Sequence, residues 1–114
     1  MNKIKAILFA VVLSAGAIFS VPANALGTTP WATVAAIQDG WVVDRMLVFP
    51  NTPTLTNPDG CPLVTNGYII KETDPVHKTS YDMLIAAKVN NRQVAFVLDG
   101  CFEGRPRIIS VSLR

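Results

Sequence analysis

Two cysteines, Cys61 and Cys101, carry the most specific chemistry in this 114-residue sequence. They are far apart, neither belongs to a C-x-x-C pair, and the only histidine of the chain is His77. Redox catalysis and zinc binding both need closer spacing or more ligands, so we predict no metal site and no cofactor. An even cysteine count in a small exported domain is typical of a disulfide. The sequence therefore predicts a Cys61–Cys101 bridge, with two free thiols or an intermolecular bridge as the alternatives.

His77 is the candidate for acid–base chemistry. It lies in Asp74-Pro75-Val76-His77-Lys78, a predicted loop, and Ser80 is the only local nucleophile. General-base or nucleophilic catalysis needs groups that converge with tuned pKa values. No paired-carboxylate motif and no glycine-rich phosphate loop occurs. We therefore predict a solvent-facing histidine and a protein that is not an enzyme, without catalytic residues.

Aromatic and arginine side chains are the candidates for ligand binding. Trp31 and Trp41 are amphipathic rings that can stack on a sugar face or on a base. Phe102, Arg105 and Arg107 cluster around the turn before the last predicted strand. In small five-stranded barrels of the OB type, that turn lines the ligand cleft. Packing of Trp41 at a barrel mouth and a solvated polar turn are the alternatives.

The strands that would position these residues follow from apolar patterning. Trp41–Phe49 places Val43, Leu47 and Phe49 on one side of a period-2 pattern, between a turn signal and a proline. Residues 26–36 are weakly patterned, and residues 51–62 form a proline-rich loop. The other predicted strands are Tyr68–Lys71, Val94–Asp99 and Arg107–Leu113.

One helix is predicted between the second and third of these strands. It begins at Thr79 or Ser80, where Thr79-x-x-Asp82 resembles a capping box, and Asn90-Asn91 can end it. Its apolar spacing gives one face, formed by Tyr81, Leu84, Ile85 and Lys88.

This order of elements, strands before one helix and two strands after it, indicates a mainly β fold with one helix. It fits a small five-stranded OB-fold-like barrel, in which the helix precedes the last two strands. An α+β sandwich with the helix on one face is the alternative.

The N-terminus has the parts of a secretory signal peptide. Lys3 and Lys5 precede an apolar stretch that ends in Pro22-Ala23-Asn24-Ala25, an A-x-A type of cleavage pattern. We predict a signal peptide over residues 1–25 and a single domain over residues 26–114, exported to the periplasm or secreted. The alternative is an uncleaved membrane anchor. No later apolar run is long enough to span a membrane.

Charge excludes one class of partner. The full chain has a formal net charge of +2, but residues 26–114 hold eight Lys or Arg against eight Asp or Glu. Nucleic-acid binding relies on clustered cations that displace counterions, so we expect no nucleic-acid partner.

Four motifs resemble a known family: Tyr81-x-x-Leu84-Ile85-Ala86-Ala87-Lys88, then Gln93-Val94-x-Phe96, Asp99-Gly100-Cys101 and Pro106-Arg107-Ile108. They are similar to the C-terminal half of small exported bacterial proteins related to the B subunits of subtilase-cytotoxin and pertussis-like toxins. The resemblance spans roughly residues 68–111. It implies an OB-fold, a homo-oligomeric ring and binding to cell-surface glycans, and it transfers no glycan-contacting residue to this chain.

Two function hypotheses follow. The first is a secreted or periplasmic binding module that recognises a glycan or a protein surface, as toxin B subunits do. The second is a small structural or inhibitory envelope protein that binds another protein.

Overall fold

The structure is a computed structural model that describes residues 26–40 and 45–114. The predicted signal peptide and Trp41 lie outside the described residues. The elements, in chain order, are β1 (Gly27–Thr28), β2 (Ala32–Asp39), β3 (Arg45–Pro50), a 3-10 turn (Val64–Asn66), β4 (Tyr68–Lys71), α1 (His77–Val89), β5 (Gln93–Phe102) and β6 (Arg105–Leu113).

Five of these strands pair into a ring. β2 pairs antiparallel with β3, β3 pairs antiparallel with β4, and β4 runs parallel to β6. β6 pairs antiparallel with β5, and β5 returns to β2. The short β1 adds to β5 outside this ring. The helix lies between β4 and β5 in the chain, which is the arrangement of an OB-type barrel. The predicted barrel is therefore confirmed over the α+β sandwich.

The segment before residue 40 contains a strand that the sequence does not predict. β2 closes the ring through the register pairs Ala32↔Val94 and Thr33↔Gln93. Just before it, Thr29 exchanges two hydrogen bonds with Phe96: its N–H donates to the Phe96 carbonyl and its Oγ1 accepts from the Phe96 N–H, both at 2.9 Å. Alanine and threonine pattern weakly, because small side chains give little contrast between the two faces of a strand.

The barrel interior contains a single apolar cluster to which the helix and every ring strand contribute. Tyr68 and Phe96 meet edge to face, with ring centroids 5.9 Å apart. The Tyr68 hydroxyl donates to the Thr56 carbonyl at 3.0 Å, so the one polar atom of this side chain is satisfied. The cluster comprises Val34, Met46, Val48, Tyr68, Ile70, Leu84, Ala87, Val94, Phe96, Leu98 and Ile108.

The helix begins earlier than predicted and without a side-chain cap. It starts at His77 after the N-cap residue Val76, and the Thr79 hydroxyl donates to the Val76 carbonyl at 3.1 Å. The predicted capping box is therefore wrong, because Thr79 already lies within the first turn. The C-terminus matches the prediction: Asn91 has φ 53°, and the Arg92 N–H reaches the Ala87 carbonyl at 2.9 Å, as in a Schellman motif.

The helix also packs through a different face from the predicted one. Its buried residues are Ser80, Leu84 and Ala87, whereas Tyr81 and Ile85 are each more than one third exposed. Small residues at positions 80 and 87 allow close approach of the helix to the barrel. A prediction based on apolar residues alone leaves out a buried serine. Here it therefore assigned the exposed residues Tyr81 and Ile85 to the buried face of the helix.

β5 and β6 form a long hairpin with a two-residue turn. Phe102 pairs with Arg105, and the turn residues Glu103 and Gly104 have φ 51° and 77°. Two positive φ values in succession are the signature of a type I′ turn, which matches the twist of hairpin strands.

The 51–62 loop is fastened to this hairpin. Cys61 and Cys101 form the predicted disulfide, with Cα atoms 5.8 Å apart. The Gly100 N–H donates to Asp59 Oδ2 at 2.7 Å, and the Leu63 N–H donates to the Gly104 carbonyl at 2.7 Å. The loop and the hairpin tip therefore form one unit.

Removing the disulfide should destabilise the fold strongly. The bridge joins residues separated by 40 positions in sequence. On the chain-entropy account, closing such a loop is worth roughly 4 kcal/mol. We expect the C61S/C101S variant to lose about 2–4 kcal/mol of unfolding free energy in urea titrations. Dithiothreitol should destabilise the wild type to a similar degree and leave the variant unchanged. Equal stability of the oxidised wild type and the variant would contradict this prediction.

Tyr68 should make the fold sensitive to alkaline pH. Burial raises the pKa of the Tyr68 phenol above its ordinary value of 10.0. The unfolded chain then ionises first, so stability is complete below pH 10 and falls as pH rises from there toward the folded-state pKa. Tyr68→Phe removes the hydrogen bond to Thr56, so its free energy of unfolding at neutral pH should be about 1 kcal/mol lower than that of the wild type. Above pH 10, the stability of this variant should fall less steeply with pH, because it has no buried phenol to ionise. Urea titrations between pH 7 and 11 measure both effects, with exposed Tyr81→Phe as the control.

Candidate functional site

The outer face of β3 and β4 carries a second apolar layer. Met46, Val48, Tyr68 and Ile70 point into the barrel core. Their neighbours Leu47 and Ile69 pair with each other across the two strands. They point to the opposite side of the sheet and lie outside that cluster. They are nevertheless only 5 % and 0 % exposed. This face of the barrel is therefore covered.

The tip of the β5–β6 hairpin lies against the same face. Arg45 and Lys71 are direct cross-strand partners, and they lie on the same outer side of the sheet as Leu47 and Ile69. Two cations so placed would repel each other. Glu103 forms an ion pair with Arg45, whose side chain is only 12 % exposed, and the Lys71 Nζ lies 5.0 Å from the centroid of the Phe102 ring. The hairpin thus compensates both cations.

A groove remains beside this covered region. Its volume is about 260 Å³. Leu47 and Phe49 are alternate residues of β3 with the outward parity, and Gln38 is the register partner of Leu47 on β2. The 3-10 turn and the first residue of β6 complete it. The lining residues are Gln38, Leu47, Phe49, Thr65, Asn66 and Arg105.

Arg105 is the charged residue of this groove. Its Nε donates to the Asn66 carbonyl at 3.4 Å and its NH1 donates to the Glu103 carbonyl at 3.2 Å. Within residues 26–40 and 45–114, it forms no ion pair with a carboxylate. Two backbone carbonyls orient the guanidinium without neutralising it, so its remaining N–H groups can donate to a ligand.

Gly67 sets the shape of the groove beside Phe49. Gly67 has φ 94°, and a Cβ on it would lie 2.9 Å from Cε2 of the Phe49 ring. The Phe49 ring therefore packs directly on the Gly67 backbone. The Asn66-Gly67 turn signal thus brings a polar side chain and an aromatic ring to one site, because only glycine permits this approach.

The residues that the sequence singles out for binding do not all meet here. Arg105 lines the groove, whereas Trp31, Phe102 and Arg107 do not, and Trp41 is outside the described residues. Trp31 is 37 % exposed, and the Arg114 guanidinium stacks 4.5 Å from its ring centroid. Arg107 forms two hydrogen bonds with the Asp74 carboxylate, at 3.0 and 3.3 Å. Because Arg107 bonds to Asp74 and Trp31 is covered on one side by Arg114, both residues are less available to a ligand than an exposed arginine or tryptophan would be.

The sequence contains weak signals for the residues that it did not single out. The period-2 pattern of β3 already places Leu47 and Phe49 on one side. The Asn66-Gly67 pair marks a turn, which is where a binding loop is expected. Gln38 lies in the strand that the sequence does not predict, so no pattern indicates it.

The structure places the candidate for acid–base chemistry in a helix. The prediction of a solvent-facing loop is wrong for His77. It lies in the first turn of α1, where its Nε2 is buried and has no hydrogen-bond partner among the described residues. No group of three or more His, Cys, Asp or Glu residues is placed to hold a metal ion within the described part of the chain. No helix there is long and apolar enough to cross a membrane.

The chain matches no known protein family, no curated protein and no solved structure. The resemblance to toxin B subunits therefore stays a prediction from the motifs.

Removing the carboxylate of Glu103 should loosen the hairpin tip. Glu103→Gln leaves the mostly buried Arg45 without its ion-pair partner, which we expect to cost about 1–3 kcal/mol. Hydrogen exchange should accelerate at the Leu63 amide, because its acceptor is the Gly104 carbonyl. The matched control is Asp74→Asn. Its partner Arg107 is 39 % exposed, whereas Arg45 is 12 % exposed, so water can solvate the cation that this variant leaves behind, and we expect a cost of less than about 1 kcal/mol. Equal losses in the two variants would show that Glu103 does not hold the tip.

Proposed function

We propose that this protein is an exported, non-catalytic binding module that recognises a glycan in the groove formed by β2, β3, the 3-10 turn and the start of β6. The observation that carries the proposal is the groove itself, in which an aromatic ring, two amides, a hydroxyl and an arginine converge, and this arginine has no carboxylate partner among the described residues. Sugar rings present an apolar face and many hydroxyls. Phe49 can pack on that face, while Gln38, Asn66 and Arg105 can bond the hydroxyls.

The size of the groove supports a small ligand unit. Its volume of about 260 Å³ lies just below the range typical of drug-sized ligands. It is suited to one sugar residue at the end of a longer glycan. OB-type barrels bind oligonucleotides and oligosaccharides on the face of their second and third strands and at the loop before the last strand. The groove includes part of that region, namely Leu47 and Phe49 of the second ring strand, β3, and Arg105 next to the last turn.

Charge favours the saccharide over the oligonucleotide. Residues 26–114 have equal numbers of acidic and basic residues, and among the residues that the structure describes Arg105 is the only cation that lines the groove. Nucleic acid would need several cations along its backbone. The resemblance to toxin B subunits agrees with a glycan ligand and adds a ring-shaped homo-oligomer to the proposal.

Export agrees with this reading. A disulfide indicates a non-reducing environment, and the N-terminal segment has the composition of a signal peptide. A protein in the periplasm or outside the cell meets surface glycans. We therefore propose periplasmic or secreted localisation.

Binding should depend on Arg105. We expect the purified oxidised protein to give specific signals on a glycan array, and Arg105→Ala to weaken the strongest of them at least about tenfold in titration calorimetry. Gln38→Ala should weaken binding by a smaller factor.

The matched control is Arg114→Ala, which removes an arginine that stacks on Trp31 outside the groove, and it should bind like the wild type. An array without signals, together with no chemical-shift change of the Phe49 ring on adding mixed oligosaccharides, would refute the glycan proposal. Equal loss in the Arg114 and Arg105 variants would place the site elsewhere.

A further inference from the structure

The two cysteines of the disulfide differ in their exposure to solvent. Cys101 is exposed, whereas Cys61 is only 3 % exposed. A thiolate opens a disulfide by attacking one of its two sulfur atoms, and the rate depends on access to the sulfur that is attacked. An external thiol can therefore reach the bridge at Cys101, while Cys61 is shielded.

Each end of the bridge leads to the groove within a few residues. The 3-10 turn that follows Cys61 carries Asn66, and the hairpin that contains Cys101 carries Arg105. Asn66 and Arg105 both line the groove. The bridge therefore joins the two segments that form two of the groove's walls.

The noncovalent contacts between these two segments include hydrogen bonds that water can replace. The Leu63 N–H donates to the Gly104 carbonyl at 2.7 Å, and Leu63 is 40 % exposed. The Arg105 Nε donates to the Asn66 carbonyl at 3.4 Å, which is a long and exposed hydrogen bond. The covalent bridge, by contrast, fixes the separation of the two segments.

The barrel and the hairpin tip are also held by contacts that do not involve the bridge. The apolar cluster of the core contains residues of the ring strands and the helix, and neither cysteine belongs to it. The Glu103–Arg45 ion pair and the contact of Lys71 with Phe102 hold the tip against the outer face of β3 and β4. Opening the bridge should therefore release the turn from the tip, while the barrel stays closed and the tip stays in place.

We propose that the bridge is a thiol-sensitive switch for the groove: an external thiol opens it at Cys101 in the folded protein, and the turn then separates from Arg105. The attacking thiolate forms a bond to the Cys101 Sγ, the Cys61–Cys101 bond breaks, and the electron pair leaves on the Cys61 Sγ, which takes a proton from water. A second external thiolate attacks the external sulfur of this mixed disulfide and releases Cys101. The two external thiols are oxidised to a disulfide, the bridge is reduced to two thiols, and the reverse exchange closes it again.

As a regulator of glycan binding, the switch rests on the proposed function, because it acts on the same groove. A ligand that contacts both walls binds the oxidised form better, and by linkage it shifts the thiol–disulfide equilibrium toward that form. The opening of the bridge and the loosening of the turn themselves need no glycan, so both can be measured without one.

Peptide mass spectrometry tests where and in which state the bridge opens. The oxidised protein is exposed briefly to 2-mercaptoethanol, a monothiol, and free thiols are then blocked with N-ethylmaleimide. Mercaptoethanol on Cys101 with maleimide on Cys61 should exceed the reverse pattern at least about tenfold. The rate of opening should change less than about twofold in 1 M urea, although this urea raises the fraction of globally unfolded protein at least about fivefold.

Nitrogen-15 relaxation measures the effect of the opened bridge on the groove. In the oxidised protein the backbone order parameters of Thr65 and Asn66 should lie near about 0.85, and in the reduced protein they should fall below about 0.6. The order parameters of Phe96 in the barrel and of Arg105 at the tip should stay near about 0.85 in both states.

The control is the C61S/C101S variant, which should give the order parameters of the reduced protein whether or not the thiol is present. Equal labelling of the two cysteines overturns the proposal, and so does an opening rate that rises with urea as steeply as the unfolded fraction. Order parameters that do not change on reduction, or unfolding of the whole domain, overturn it as well. A glycan array without signals would refute the proposed function and leave these results unchanged, so the two failures are distinguishable.

Discussion

The structure depends on the way in which the tip of the β5–β6 hairpin is held from two sides. The Cys61–Cys101 bridge and two backbone-directed hydrogen bonds fasten it to the 51–62 loop. The Glu103–Arg45 ion pair and the contact of Lys71 with Phe102 hold it over the outer face of β3 and β4. Arg105 follows this tip directly, so the wall of the groove is positioned by the same contacts that hold the hairpin tip.

This arrangement explains how a small domain can present a defined site. A chain of this length buries a modest core and has little stability to spare. The loop that joins β3 to β4 is therefore ordered by connections rather than by packing alone. The Asn57 side chain exchanges two hydrogen bonds with the Cys61 backbone, at 2.8 and 2.9 Å, and this fixes the loop at the cysteine. The 3-10 turn follows Cys61 within a few residues, so fixing the loop at Cys61 also fixes the position of this turn.

Most of the fold could be predicted from the sequence because its strands carry strong apolar patterns. The strand around Leu47, the strand of Tyr68, the last two strands and the disulfide all follow from residue type and spacing. β2 could not be predicted, because Ala32 and Thr33 give no contrast between faces and its pairing with β5 is long-range. The helix face was missed for a related reason: Ser80 is buried by close approach to the barrel, which is a tertiary effect.

The candidate site was predicted only in part, because it is assembled from four separate segments. Of the residues proposed for binding that the structure describes, Arg105 alone lines the groove. Trp31 was attractive for its residue type, yet Arg114 stacks on its ring. Phe49 and Asn66 become neighbours only through the approach that Gly67 permits. Spacing along the chain carries no information about such a meeting, since it depends on how β3 and the 3-10 turn are brought together.

The covered outer face has a consequence for the kind of ligand that the barrel can take. An open OB-type barrel offers the whole face of its second and third ring strands, which suits an extended polymer. Here the hairpin tip occupies the part of that face around Arg45 and Lys71. The region between Phe49 and Arg105 is what remains, and it is bounded by polar groups on rigid elements. The interactions that stabilise the hairpin therefore also shorten the site, which favours recognition of a terminal unit over a continuous chain.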